Sequence, residues 1–205
     1  MDALREIPLP FEMAWLPPGF FPPCHVNVLY QLAARASSIL EIGSWVGRST
    51  CVIAAAIQSR PQPIPFHTTD FFIKDDEEWQ RRYGVPLASK ANADVYRYFM
   101  KQPGGTRGAL ERHLDARGLR PVVTVHQGDF HEIAYGRRFD LVFCDATHDL
   151  GEIAHNVPHV LELLEPGGIL VCDDIDSEDL QRAVLAQGEF AWHHVAGTLF
   201  YGAPK

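Results

Sequence analysis

Apolar positions along this chain fall into two alternating periods. Short apolar runs bounded by turn residues predict strands over 39–42, 64–70, 122–126, 139–145 and 169–173. Between them, apolar residues recur at helical spacing: Val28, Leu29, Leu32, Ala33 and Ala36 make one stripe of a helix over 26–36. Further helices are expected over 49–58, 75–83, 92–100, 109–117, 150–164 and 177–187, the last with Ser177 as its N-cap. Pro103-Gly104-Gly105 reads as a flexible separator, and Pro166-Gly167-Gly168 as the turn that closes the helix over 150–164. The segment 192–201 predicts a strand pair turning near Gly197.

Strands alternating with helices imply an open, mainly parallel α/β sheet with helices on both faces and an antiparallel hairpin at the end. The nearly unbroken apolar run over 139–145 suits a strand covered on both faces. In such a sheet ligands lie beyond the carboxyl ends of the strands, so the residues just after each strand carry the chemistry. Before the first helix, residues 1–25 form a proline-rich arm, either packed on the domain or covering a site as a lid. Residues 26–205 are expected to form a single domain.

Composition narrows the partners. With 46% apolar and 21% charged residues in 205, the chain supports one packed core. A formal charge of −8 disfavours the phosphate backbone of nucleic acid and favours a small-molecule acceptor. Cys24, Cys51, Cys144 and Cys172 are scattered, with no paired spacing, which points to a reducing compartment. The start lacks the pattern of a signal peptide and no run is long enough to span a membrane, so a cytoplasmic location with no membrane partner is expected. Self-association into a homo-oligomer stays open.

The loop after the first strand reads Glu41-Ile42-Gly43-Ser44-Trp45-Val46-Gly47. Its glycines let backbone approach a ligand closely, but Trp45 stands where a dinucleotide loop needs its second glycine, which disfavours a nicotinamide cofactor. The stretch ILEIGSWVGRST resembles motif I of the class I S-adenosylmethionine (SAM)-dependent methyltransferases. That resemblance implies a Rossmann-like fold with a seven-stranded sheet. It also implies that Glu41, Gly43, Ser44 and Gly47 border the methionine end of SAM, with Ser49 or Thr50 near its carboxylate. By the same resemblance Asp70 holds the ribose hydroxyls, Asp129 accepts from the adenine amino group, and Phe130 lies against the ring.

Asp145 ends the fourth strand and Asp173-Asp174 the fifth; if the two strands are neighbours, three carboxylates share one rim. Like charges so placed call for a cation, and oxygen ligands suit Mg²⁺, Mn²⁺ or Ca²⁺. The segments FDLVFCDATHDL and LEPGGILVCDDI resemble the cation-dependent O-methyltransferases of catechol and caffeoyl-CoA type. They are still closer to the macrolide-sugar enzymes and their short bacterial relatives. The resemblance implies that Asp145, Asp173 and Asp174 hold Mg²⁺, that His148 is the base, and that Asp145 also borders the cofactor. Ala146 and Thr147 depart from the Gly-Asp of the short relatives, and no fourth protein ligand is evident unless the acids at 75–78 supply one.

His155 and His159, four apart, are expected on a solvated helix face. Trp15, Phe20, Phe21, Trp79, Tyr96 and Tyr98 are divided between core and pocket wall. The leading expectation is Mg²⁺-dependent O-methylation of a natural-product sugar or a catechol-like diol. The alternatives are metal-independent O- or N-methylation, or a module that binds SAM without catalysis.

Overall fold

The computed structural model describes residues 3–58 and 60–205; the first two residues of the arm lie outside them. Among the described residues a seven-stranded sheet runs in the order β3-β2-β1-β4-β5-β7-β6. Its strands are β1 (Ile39–Ile42), β2 (Phe66–Asp70), β3 (Thr124–Gln127), β4 (Phe139–Cys144), β5 (Leu164–Cys172), β6 (Phe190–Ala196) and β7 (Leu199–Pro204). The first five pair in parallel, while β7 lies antiparallel between β5 and β6. Helices α1 (Pro23–Ala33), α2 (Arg48–Gln58), α3 (Asp76–Tyr83), α4 (Ala93–Met100), α5 (Gly105–Asp115), α6 (Leu150–Leu163) and α7 (Glu178–Leu185) complete the fold.

Alternate strand residues feed two cores. Ile39, Leu141, Phe143 and Val171 face α1, α2 and α5, whereas Leu40, Ile42, Val142 and Leu170 face α6 and α7. The strand order reverses between β1 and β4, which opens a crevice at their carboxyl ends.

The arm packs against the first core through Leu4, Leu9, Phe11, Leu16 and Phe21. The Asn27 side chain accepts the Ile7 N–H at 3.1 Å and donates to the Ile7 carbonyl at 2.7 Å. The Arg117 guanidinium donates to the Trp15 carbonyl and lies 5.2 Å over the Trp15 ring. Pro23 opens α1, as a proline at the first helical position can, so the helix begins before 26.

Three expectations change here. Helix α5 starts at Gly105 rather than 109, directly after the left-handed turn that Gly104 makes at φ 75° as its N-cap. The start of the expected strand at 122 belongs to a 3₁₀ turn, Arg120–Val122, and pairing begins only at Thr124. Pro166-Gly167-Gly168 does not close a helix. It forms the irregular first half of β5, where the pairing with β4 slips between Phe139 and Leu141 and Gly167 takes a φ of 80°. Among the described residues, no helix is long and apolar enough to cross a membrane.

Candidate active site

The crevice is a cavity of about 510 Å³ bounded by the loops after β1, β2, β3, β4 and β5. The glycine loop enters it through a chain of backbone contacts. Gly43, at φ 90°, donates to the Thr69 carbonyl at 2.9 Å, and Gly47, at φ 95°, donates to the Ser44 carbonyl at 2.8 Å. Trp45 holds a left-handed φ of 43° because its N–H is anchored on Asp70 Oδ2 at 2.8 Å. The other oxygen of Asp70 accepts the Phe72 N–H at 2.7 Å. Burial raises the Asp70 pKa in spite of these donors.

Glu41 does not line the cavity. It is fully buried, and its carboxylate accepts the hydroxyls of Ser49, Thr50 and Thr68, each at 2.6 Å. Burial pushes its pKa up to about 7, against the lowering effect of those hydroxyls. Between its ordinary value of 4.5 and about 7, the folded chain keeps a proton that the unfolded chain has lost. Stability therefore falls as pH rises through that window, by on the order of 3 kcal/mol. Glu41→Gln is expected to remove this slope; thermal denaturation of both proteins from pH 5 to 8 checks it, and parallel curves would refute the assignment.

Gly43, Ser44, Ser49, Asp70, Asp129 and Phe130 all line the cavity; Gly47, like Glu41, does not. Asp129 Oδ1 takes the ring Nδ1 of His131 at 2.9 Å and the His131 N–H at 3.1 Å. Burial alone would raise its pKa, but His131 and Arg82 hold it below the ordinary value. His155 is exposed, as a solvated helix face requires, and His159 is half-buried. Their rings lie 4.6 Å and 4.8 Å from the His131 ring, which carries the wall beyond Phe130.

At the other end, β4 and β5 are neighbours, with Cys144 opposite Cys172, so the acids that follow them share the rim. One ligand atom each of Asp145, His148 and Asp174 lie within 4.8 Å of one another. His148 Nε2 stands 3.5 Å from Asp174 and 3.8 Å from Asp145, and its Nδ1 bonds Glu152 at 2.8 Å. The bond to Glu152 is the main reason that the His148 pKa is pushed up to about 9. Burial and the neighbouring Asp173 raise Asp145 well above the ordinary carboxylate range, and the same two causes raise Asp174. Asp173 also borders the cavity, but its Oδ1 turns to the buried His25, 3.1 Å away. The acids at 75–78 do not line the cavity: Asp75 caps α3 and Asp76 pairs with Arg97.

Aromatic side chains wall the acidic end. Phe20 stacks on Trp45 at 5.7 Å and 14°, and Tyr96 stands 5.2 Å from Trp45 and 5.0 Å from Trp79. Burial and the charges of Asp145 and Asp174 raise the Tyr96 pKa. Of the aromatic candidates, Phe20, Phe21, Trp79 and Tyr96 line the cavity, while Trp15 stacks under the arm on Phe11 and Tyr98 is exposed. Sequence reasoning missed Arg48, which lines the cavity and donates to the carbonyls of Pro17 and Phe21, tying the arm to α2. It missed Glu152 as well, although that residue stands four positions after His148, in the first turn of the helix expected over 150–164.

Comparison with known proteins agrees with this architecture. No curated protein sequence matches the chain. It is similar to the solved structure of cofactor-bound Rv0187 from MTB, at 19% identity and a TM-score of 0.60 over 92% of this chain and 83% of that one. It is also similar to a methyltransferase from Geobacter sulfurreducens, at 18% identity and a TM-score of 0.59 over 89% and 80% of the two chains. The O-methyltransferase TomG from Streptomyces achromogenes, involved in tomaymycin synthesis and solved in complex with SAM, gives 20% identity and a TM-score of 0.54 over 88% and 79%. These likenesses show a shared fold. A family model described as a methyltransferase domain matches residues 40–175, from the first strand to the acids after the fifth. The chain belongs to that methyltransferase-domain family and carries the class I, Rossmann-like fold of the SAM-dependent methyltransferases.

Proposed function

We propose that this protein is a divalent-cation-dependent O-methyltransferase acting on a small, flat acceptor with two adjacent hydroxyls, with SAM as methyl donor. The observation that carries the reading is the meeting of Asp145, His148 and Asp174 at one end of a cavity whose other walls are the glycine loop, Asp70 and Asp129. Ligand atoms within 4.8 Å of one another can reach a common ion at ordinary cation–oxygen distances. Two carboxylates form a hard donor set suited to Mg²⁺, Mn²⁺ or Ca²⁺.

The proposed roles rest on placement. Asp145 and Asp174 would hold the cation, with Asp173 behind them. Gly43, Ser44, Ser49 and Asp70 border the methionine and ribose of SAM, and Asp129 and Phe130 its adenine. Glu41 and Gly47 shape the loop from outside the cavity. A cation held there would lower the pKa of the attacking hydroxyl. His148, oriented through Nδ1 by Glu152, is mostly protonated at neutral pH with its pKa pushed up to about 9, so it would take that hydroxyl's proton at Nε2 only in its neutral form, which a cation bound beside it would favour. The acceptor oxygen then forms its bond to the methyl carbon as the sulfur–methyl bond breaks, releasing S-adenosylhomocysteine. Phe20, Trp45 and Tyr96 hold the acceptor by stacking, which suits a catechol-like ring better than a sugar.

Turnover of a catechol panel with SAM is expected to need added Mg²⁺ or Mn²⁺ and to stop in chelator. Full activity in chelator would favour a second reading, metal-independent methylation, for which the His148–Glu152 pair at 2.8 Å is the supporting observation. SAM binding without transfer to any acceptor would favour a binding module.

A further inference from the structure

The acid pair after β5 is reached from a second side, by a residue far away in the chain. His25, in the first turn of α1, has a side chain only 3% exposed, and its Nδ1 lies 3.1 Å from Asp173 Oδ1. Its other ring nitrogen, Nε2, accepts the backbone N–H of Thr198 at 3.2 Å. A ring nitrogen that accepts carries no proton, so a neutral ring keeps its proton on Nδ1, the side that faces Asp173. Nδ1 makes no aligned hydrogen bond; the carboxylate is at contact distance but off the N–H direction. A buried donor left without a partner is costly, which favours a bond between Nδ1–H and this carboxylate.

Asp173 passes this contact on. Its Oδ1 accepts the Asp174 N–H at 2.9 Å, and Thr198 Oγ1 lies 3.5 Å from the same oxygen. The Asp173 carbonyl accepts the Thr147 hydroxyl at 3.0 Å, which ties it to the loop after β4. Asp174 itself sits at a left-handed φ of 60°, a conformation that costs a residue with a side chain roughly 1 kcal/mol or more and needs support from its surroundings. That turn carries the Asp174 carboxylate to Asp145 and His148. The seat of His25 is itself tight. A Cβ on Gly197 would stand 2.8 Å from Nε2, and Phe21, which lines the cavity, packs edge-on against the ring at 5.4 Å.

We propose that His25 is a positioning residue for the cation site. Its Nδ1–H fixes the Asp173 carboxylate, and Asp173 in turn holds Asp174 in the left-handed turn that completes the cluster with Asp145 and His148. This inference rests on the proposed cation site. It gives Asp173 a supporting role and makes α1, outside the glycine loop and the strand ends, part of the site. Groups that orient metal ligands typically change metal affinity by about 10- to 100-fold when lost.

The test is titration of Mn²⁺ alone into the purified protein, followed by the electron paramagnetic resonance of the free ion, with SAM affinity by calorimetry as control. His25→Phe keeps the ring's shape and removes both nitrogens; His25→Asn keeps a donor near the Nδ1 position; His25→Gln reaches the Nε2 position instead. Mn²⁺ affinity is expected to fall about tenfold in the Phe and Gln variants and to be largely kept in the Asn variant, with SAM affinity unchanged in all three. Lower melting temperatures with unchanged Mn²⁺ affinity would reduce His25 to a core residue and overturn the inference, leaving the proposed function standing. If the Phe variant does not fold, equal Mn²⁺ affinities in the Asn and Gln variants overturn it equally. A wild-type protein that binds no Mn²⁺ would overturn both this inference and the cation-dependent reading.

Discussion

Replacing Asp145 by Ala is expected to lower kcat at least about 100-fold, at saturating SAM and Mg²⁺, while leaving the protein as stable as before or more so. The two effects have one cause. Asp145 is a half-buried carboxylate whose pKa desolvation and Asp173 raise well above the ordinary value, with His148 working the other way, so its charge is held at a cost in the fold. Removing it relieves that repulsion and also removes one of the two oxygen donors proposed for the cation. A cation that polarises the acceptor contributes several kcal/mol to transition-state stabilisation, which sets the size of the loss. SAM affinity should change only a few-fold. Steady-state kinetics, calorimetry and a melting curve together check this. An Ala variant that turns over at the wild-type rate, or one that melts well below the wild type, would contradict the assignment.

The second large effect is expected at Gly43. An added Cβ would lie 2.6 Å from the Asp145 carbonyl oxygen and 3.3 Å from the Asp145 Cβ, and the residue sits at φ 90°. The clash is with backbone, so β1 and β4 would have to separate just where the cofactor loop meets the acidic rim. The backbone conformation alone costs about 1–2 kcal/mol for a residue with a side chain. With the contact added, Gly43→Ala should cost roughly 3 kcal/mol or more and lower the melting temperature by about 6–12 °C. SAM affinity should fall at least about tenfold. Gly47→Ala is the control. At a similar φ of 95°, its Cβ would meet the Leu110 Cδ1 at 2.5 Å, the end of a side chain that can turn away, so its cost should stay close to the backbone share. Equal stabilities of the two variants would show that the approach of Gly43 to Asp145 is not what holds the loop.

Much of the fold was legible because it is written in short-range patterns. β1 was expected over 39–42 and is found at Ile39–Ile42; the run over 139–145 became β4, central and covered on both faces. Asp75, Ser177 and the turn at Gly197 stand at element boundaries for reasons of capping and turn chemistry that act over a few residues. The misses came where local signals conflicted. Pro166-Gly167-Gly168 has the composition of a turn, yet pairing with β4 on either side draws it into β5 as an irregular stretch. Gly104 and Gly105 do turn the chain at left-handed φ values, as a separator would, but α5 follows at once instead of four residues later.

The candidate site was legible in part. The positions of Gly43, Ser44, Asp70, Asp129, Asp145 and Asp174 on one cavity follow from their places after parallel strands, which the alternation of elements implies. Their partners were not. Glu41, expected to border the methionine end of SAM, is buried beneath the loop and gathers three hydroxyls, because a buried carboxylate must be satisfied by whatever donors the packing brings to it. Asp173 was expected beside Asp145 and Asp174 on equal terms, and its carboxylate turns to His25.

The sequence by itself determined the order of strands and helices, the glycine loop and the gathering of acids at one rim, because hydrophobic period, turn chemistry and strand-end position act within one element or between its neighbours. Only the tertiary structure decided which face of each acid is used: His25 reaches Asp173 from α1, Phe20 closes on Trp45 from the arm, and Trp45 rests on Asp70. Such contacts join residues distant in the chain, where no periodicity links them, and burial then compels each polar group to find a partner among those neighbours.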